Sequence, residues 1–166
     1  MKEPEKLIAE MSEQLRHLIE HRQLDDPIIL GIRSGGVWVA ERLHEQLKIN
    51  EPMGLLDINF YRDDFSRISS FPQVKPSAIN TNLDDRHIIL VDDVIHSGRT
   101  ICAALNEIAD YGRAATVSLV IMIDRGGREM PICADIVGTT VDLREGQHIK
   151  LRGPAPLHIE VINSKT

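Results

Sequence analysis

Residues 87–100 read His87-Ile88-Ile89-Leu90-Val91-Asp92-Asp93-Val94-Ile95-His96-Ser97-Gly98-Arg99-Thr100. The run His87–Val91 lacks polar alternation, which is the pattern of a central parallel strand covered on both faces. It is expected to stop at the acid pair Asp92-Asp93. A turn containing Gly98 then leads into a helix over Arg99–Tyr111, closed by Gly112 at the position where helices most often use glycine. Strand, acidic turn and helix in that order describe half of an α/β unit, and the flanking sequence supplies the rest.

Upstream, Lys6–His21 places Leu7, Ile8, Met11, Leu15, Leu18 and Ile19 on one stripe at helical spacing. That stripe suits packing on a sheet or on a partner subunit. Ile28–Ile32 reads as a buried strand, followed by Arg33-Ser34-Gly35-Gly36 and by helical spacing over Val37–Leu47. Met53–Tyr61 is a second strand candidate. Residues 62–80, with Pro72 and Pro76 and no clean period, have the length and composition of a functional loop. Downstream, Thr116–Ile123 reads as another buried strand, ending at Asp124-Arg125-Gly126-Gly127. Beyond Ile136-Val137 the chain is interrupted by Gly, Pro and Arg until a final strand candidate, His158–Ile162. The expected fold is therefore α/β, an open, mainly parallel twisted sheet flanked by helices. It forms one domain over residues 1–166, with a small cap built from the termini.

Ligands of open α/β sheets sit beyond the carboxyl ends of the strands, and three loops fall there. In the first, amides at the start of the Arg99 helix can wrap a phosphate, helped by the helix dipole. Gly98 permits close approach of backbone to ligand, and Ser97 and Thr100 offer hydroxyls. Val94, Ile95, His96 and Arg99 complete the candidate phosphate-binding stretch. Two carboxylates beside a phosphate cradle would repel the anion unless they hold sugar hydroxyls and a hydrated Mg²⁺, an ion that uses few protein carboxylates. A sugar phosphate that also carries a pyrophosphate satisfies every part of this loop. The second loop, Arg33-Ser34-Gly35, reads either as an anion-binding turn or as a plain turn before a helix. The third, Ile123-Asp124-Arg125 and onward to Arg128, reads either as a place for a base or as a charged solvent turn.

The chain of 166 residues has a net charge of −6. A dedicated nucleic-acid binder usually shows basic excess, so the acidic balance counts against RNA or DNA as the main ligand. Apolar runs fall short of the ~20 residues of a membrane span, and Met1–Lys6 lacks the apolar core of a secretion signal. Cys102 and Cys133 have no CxxC spacing and read as idle thiols in a reducing, cytoplasmic compartment.

The string Val91–Thr100 is similar to the 5-phosphoribosyl-1-pyrophosphate (PRPP) signature of type I phosphoribosyltransferases. Together with Asn59-Phe60-Tyr61-Arg62-Asp63-Asp64 and Asp124–Ile132, it resembles the PyrR family, pyrimidine-operon attenuators that also act as uracil phosphoribosyltransferases. The likeness runs from about Ile28 to Gly138. It implies conversion of uracil and PRPP to UMP and pyrophosphate with Mg²⁺, and binding of the pyrimidine-operon leader mRNA by a homo-oligomer. By position, Asp92 and Asp93 would hold the ribose and the metal shell, His96–Thr100 the 5-phosphate, and Arg33–Gly35 the pyrophosphate. Tyr61, Arg62 and Asp63 would begin a mobile loop, with Arg62 near the chemistry, and Ile123–Arg125 would meet the base. The family often carries a basic residue at Gly35, commonly His at Gly127 and a basic residue at Cys133. The last two departures fall in the family's RNA-binding neighbourhood and weigh against that activity.

Overall fold

The computed structural model of the chain describes residues 2–58 and 77–164. Five strands form the sheet that organises them: β1 (Ile28–Ile32), β2 (Gly54–Leu56), β3 (His87–Ile95), β4 (Thr116–Asp124) and β5 (Ile136–Thr140). Their order is β2-β1-β3-β4-β5, and every neighbouring pair is parallel. Three helices cover the sheet: α1 (Pro4–Arg22), α2 (Gly35–Leu47) and α3 (Arg99–Tyr111). The remaining strands, β6 (Gln147–Arg152) and β7 (His158–Asn163), pair antiparallel as a separate hairpin.

Strand side chains alternate between faces, and the core divides accordingly. Ile29, Ile89, Val91, Val120 and Met122 share one cluster with Leu7, Met11 and Leu15 of α1 and with Val39 and Leu43 of α2. Ile28, Leu30, Ile88, Leu90 and Ile121 share another with Ile101, Ala104 and Ile108 of α3. The apolar stripe of α1 is thus spent within the chain's own core. An expected homo-oligomer draws no support from that helix.

The boundaries of β1 and α3 fall where the sequence pattern puts them. β3 differs: it runs through the acid pair to Ile95, because β4 offers register partners as far as Asp124 opposite Ile95. β2 is shorter than the Met53–Tyr61 candidate, pairing with β1 only over Gly54–Leu56; residues 59–61 lie outside the described part. β6 has no counterpart in the sequence reading. The last residues of the long connecting loop are anchored, since Leu55 and Ala78 exchange two backbone hydrogen bonds and Asp57 N–H donates to Ser77 Oγ at 3.0 Å.

Leu90 is fully buried at the centre of the sheet. Leu90→Ala should destabilise the fold by about 2–5 kcal/mol, read as a lower urea midpoint at unchanged slope. A loss below about 0.5 kcal/mol, the scale of a surface change, would contradict this core.

Candidate active site

β1 turns into α2 and then β2 on one side of the sheet, while β3 turns into α3 and then β4 on the other. The connections diverge between β1 and β3, which opens a crevice at the carboxyl ends of those two strands, where open α/β sheets bind ligands. β1 contributes register partners only as far as Gly31 opposite Val91. From Asp92 to Ile95, β3 is paired on its β4 side alone. The space β1 vacates is filled by the first turn of α2. A Cβ added to Gly36 would meet Val91 O at 2.7 Å, and one added to Gly35 would meet Asp93 Oδ2 at 2.3 Å. Gly36 is required by close approach to backbone, and Gly35 leaves the space that the Asp93 side chain fills. They let the turn after β1 press against the acid pair.

Above this junction lies a cavity of about 350 Å³. Ser34 and Gly35 form one wall, and Asp92, Asp93, Val94 and Ile95 the floor. His96, Gly98 and Thr100 close the second wall with the start of α3, and Arg125 reaches in from the end of β4. The structure therefore brings together most of the residues singled out in the sequence. Arg33 is not among the lining residues; its N–H donates to Leu56 O at 2.9 Å, and its peptide to Ser34 is cis. Ser97 is buried behind the wall. Arg99 turns outward, donating from Nε and Nη2 to Glu129 Oε2 at 3.0 and 2.8 Å. Tyr61, Arg62 and Asp63 lie outside the described residues.

The third loop does a different job from the one its position suggested. Ile123 is fully buried in the core. The Asp124 carboxylate accepts from Gly126 N–H at 2.8 Å and from Arg128 Nη2 at 2.6 Å, so of the three candidate base contacts only Arg125 lines the cavity. Arg128 also donates to His96 O at 2.5 Å and to Ile132 O at 3.0 Å. Ser97 O accepts from the N–H groups of Glu129 and Met130, each at 2.9 Å. Two successive carbonyls of the β3–α3 turn are therefore held from behind. In a planar trans peptide C=O and N–H point oppositely, so the amides of Ser97 and Gly98 are directed away from that brace. Gly98, at φ +90°, has Ile132 packed beneath it, 3.2 Å from where a Cβ would stand. Gly127, at φ +74°, leaves room for the His96 ring, which a Cβ would meet at 2.4 Å. His96 Nδ1 lies 2.9 Å from Gly126 O.

A small cap was expected, and its strand β6 supplies lining residues that the sequence reading did not single out. His148, Ile149, Lys150 and Leu151 of β6 roof the cavity, and Trp38 of α2 lines it beside them. Gly153 at the end of the roof packs so closely on Trp38 that a Cβ would meet the ring at 2.8 Å. Arg42 fixes the joint, donating to Trp38 O at 3.0 Å and to Pro154 O at 2.8 Å. The available signal was the strict polar–apolar alternation of His148-Ile149-Lys150-Leu151-Arg152, which reads as a half-buried strand.

The electrostatics of the cavity are mixed. Asp92 and Asp93 supply negative charge on the floor, while Arg125 and Lys150 are the lysine and arginine residues among the described lining. Arg125 Nε is buried without a hydrogen-bond partner among the described atoms. No group of three or more metal-ligating side chains forms among the described residues. A divalent ion would here rely on the acid pair, on water and on its own ligand.

Residues 2–150 match the phosphoribosyl transferase domain, which fixes the class of protein. Solved structures agree on the fold. A purine phosphoribosyltransferase from Pyrococcus horikoshii superposes with a TM-score of 0.62 at 22% identity, covering 82% of each chain. A hypoxanthine phosphoribosyltransferase from Staphylococcus aureus gives 0.63 at 16% identity, covering 82% of this chain and 74% of the other. Curated relatives are much closer in sequence. The bifunctional protein PyrR of Pseudomonas fluorescens is 48% identical over 95% of this chain and 94% of its own. That of Nitrosococcus oceani is 48% identical over 93% and 89%. The chain belongs to the PyrR family.

Arg128 joins the β3–α3 turn to the loop behind it, and its partners are half-buried. Arg128→Met should lower stability by about 1–3 kcal/mol in chemical denaturation. A neutral result would show that the brace is not held by this side chain.

Proposed function

We propose that the chain transfers the phosphoribosyl group of PRPP to uracil, giving UMP and pyrophosphate. The observation that carries this reading is the single cavity in which the acid pair Asp92-Asp93, the turn His96–Thr100 and the bare turn Ser34-Gly35 meet. Such a cavity suits a ligand with a phosphate at one end, a diol in the middle and a pyrophosphate at the other.

The 5-phosphate would rest on the amides at the start of α3, where the helix dipole favours an anion and Thr100 adds a hydroxyl. Asp92 and Asp93 would accept hydrogen bonds from the ribose hydroxyls. The acid pair, with no third protein ligand beside it, fits Mg²⁺ held largely by pyrophosphate and water; when bound, the ion would neutralise charge on the leaving group. In the transfer the bond from C1 of ribose to pyrophosphate breaks with its electron pair leaving on pyrophosphate. The bond from C1 to N1 of uracil forms, and the N1 proton is released. The cation-like transition state needs no covalent nucleophile; it needs charge placed before the reaction begins. Arg125, on the β4 side of the cavity, is the residue we assign to the base.

Purified protein with Mg²⁺, PRPP and labelled uracil should yield labelled UMP, and Asp93→Asn should lower kcat/KM by at least about 100-fold with the thermal midpoint retained. Turnover on a purine in place of uracil would overturn the substrate, and full activity of Asp93→Asn would overturn the site.

A second activity is favoured by the relatives named bifunctional, which match nearly the whole chain. We infer a UMP-responsive interaction with the leader mRNA of the pyrimidine operon. Gel retardation should show binding that weakens steeply as salt rises, as counterion release requires. Binding that is absent at low salt would reject this activity while leaving the enzyme untouched.

A further inference from the structure

The turn after β1 is the element placed to meet the pyrophosphate, yet it brings no charge to the cavity. Arg33 is not part of the lining, and Ser34 and Gly35 offer only backbone and one hydroxyl. Position 35 is glycine in this chain, and the Asp93 side chain occupies the space beside it, its carboxylate 2.3 Å from where a Cβ would be. A pyrophosphate placed there would face two carboxylates and no cation from its own turn. Such a group binds strongly where charged donors reach it, since charge-assisted hydrogen bonds are about twice as strong as neutral ones.

The roof of the cavity offers the missing charge. His148 and Lys150 lie two residues apart on β6 and so share a face, and both line the cavity together with Ile149 and Leu151, which are also part of the buried core. β6 has a fixed direction across the cavity. Its end, at Gly153, packs on Trp38, and Arg42 ties the following Pro154 to the same helix. That helix, α2, starts at Gly35. The Lys150 end of β6 is therefore the end held over the turn after β1. Arg125, the other cation, enters from the end of β4, across β3 from β1.

We propose that Lys150 is the pyrophosphate-binding cation of this protein, supplied from the cap in place of a charged residue in the turn after β1. The assignment rests on the phosphoribosyltransferase reading and deepens it. Lys150 pairs its ammonium with the pyrophosphate oxygens of the bound substrate and holds them as negative charge grows there on bond breaking. The cap is thereby a part of the leaving-group site, with Arg42 and Trp38 setting its height.

Calorimetric titration of the full-length protein with magnesium pyrophosphate and, separately, with UMP tests the assignment without turnover. Lys150→Gln should weaken pyrophosphate binding by about 10- to 100-fold and leave UMP binding within about twofold. Lys150→Arg should restore most of the pyrophosphate affinity, and Arg125→Gln should show the reverse preference, losing UMP. Loss of UMP binding in Lys150→Gln with pyrophosphate binding intact would overturn the proposal, as would no change in either. Should Lys150→Gln fail to fold, Lys150→Met is titrated in the same two arms. A wild-type protein that binds pyrophosphate but makes no UMP from uracil would defeat the substrate reading alone, and the Lys150 comparison would still stand or fall on its own titrations.

Discussion

The site depends on an unequal pairing of the central strand. β3 keeps its partner on the β4 side to Ile95 but loses β1 after Val91. The exposed flank of Asp92–Ile95 must then be covered by something other than a strand, and the first turn of α2 covers it. Close approach to the Val91 carbonyl accounts for Gly36, and Gly35 leaves its space to the Asp93 side chain. The acid pair, the start of α2 and the start of α3 are thereby fixed around one crevice. Three elements packed on the same sheet thus line one cavity, with Arg125 at the end of β4 and the β6 roof completing it.

A second layer holds the β3–α3 turn in place. Hydrogen bonds to the carbonyl of a planar trans peptide fix the direction in which its N–H points. Residues 124–132 provide those bonds, through the Arg128 guanidinium on His96 O and the Glu129 and Met130 amides on Ser97 O. The stretch that resembles the family's distinguishing motif thus acts largely behind the site, with Arg125 alone entering the cavity. Glycine at 127 matches this arrangement, because the His96 ring occupies the space beside it.

Much of this was legible in the sequence, for physical reasons that differ from part to part. The uninterrupted apolar run of β3 and the glycine-containing turn after it announce a parallel strand feeding a helix, and the helix bounds Arg99–Tyr111 follow from Gly98 and Gly112. The continuation of β3 through two aspartates was not legible, because it is set by the length of its neighbour β4 and not by local propensity. The role of Asp124 and Arg128 was hidden for a similar reason: a charged pair four residues apart looks like a solvent turn until the His96 carbonyl, in the distant β3–α3 turn, is known to accept from it. A small cap was expected, but its strand β6 was missed because that alternating strand is short and bracketed by Gly and Pro. With it went Trp38 and Lys150, whose positions depend on contacts between distant parts of the chain.

The central claim is that the turn His96–Thr100 holds the 5-phosphate while Asp92 and Asp93 hold the ribose. The most direct test is a crystal structure of the protein with Mg²⁺ and PRPP. The account predicts density for the phosphate against the amides at the start of α3 and for the ribose diol against the two carboxylates. PRPP bound in a different cleft, with that turn empty, would contradict it.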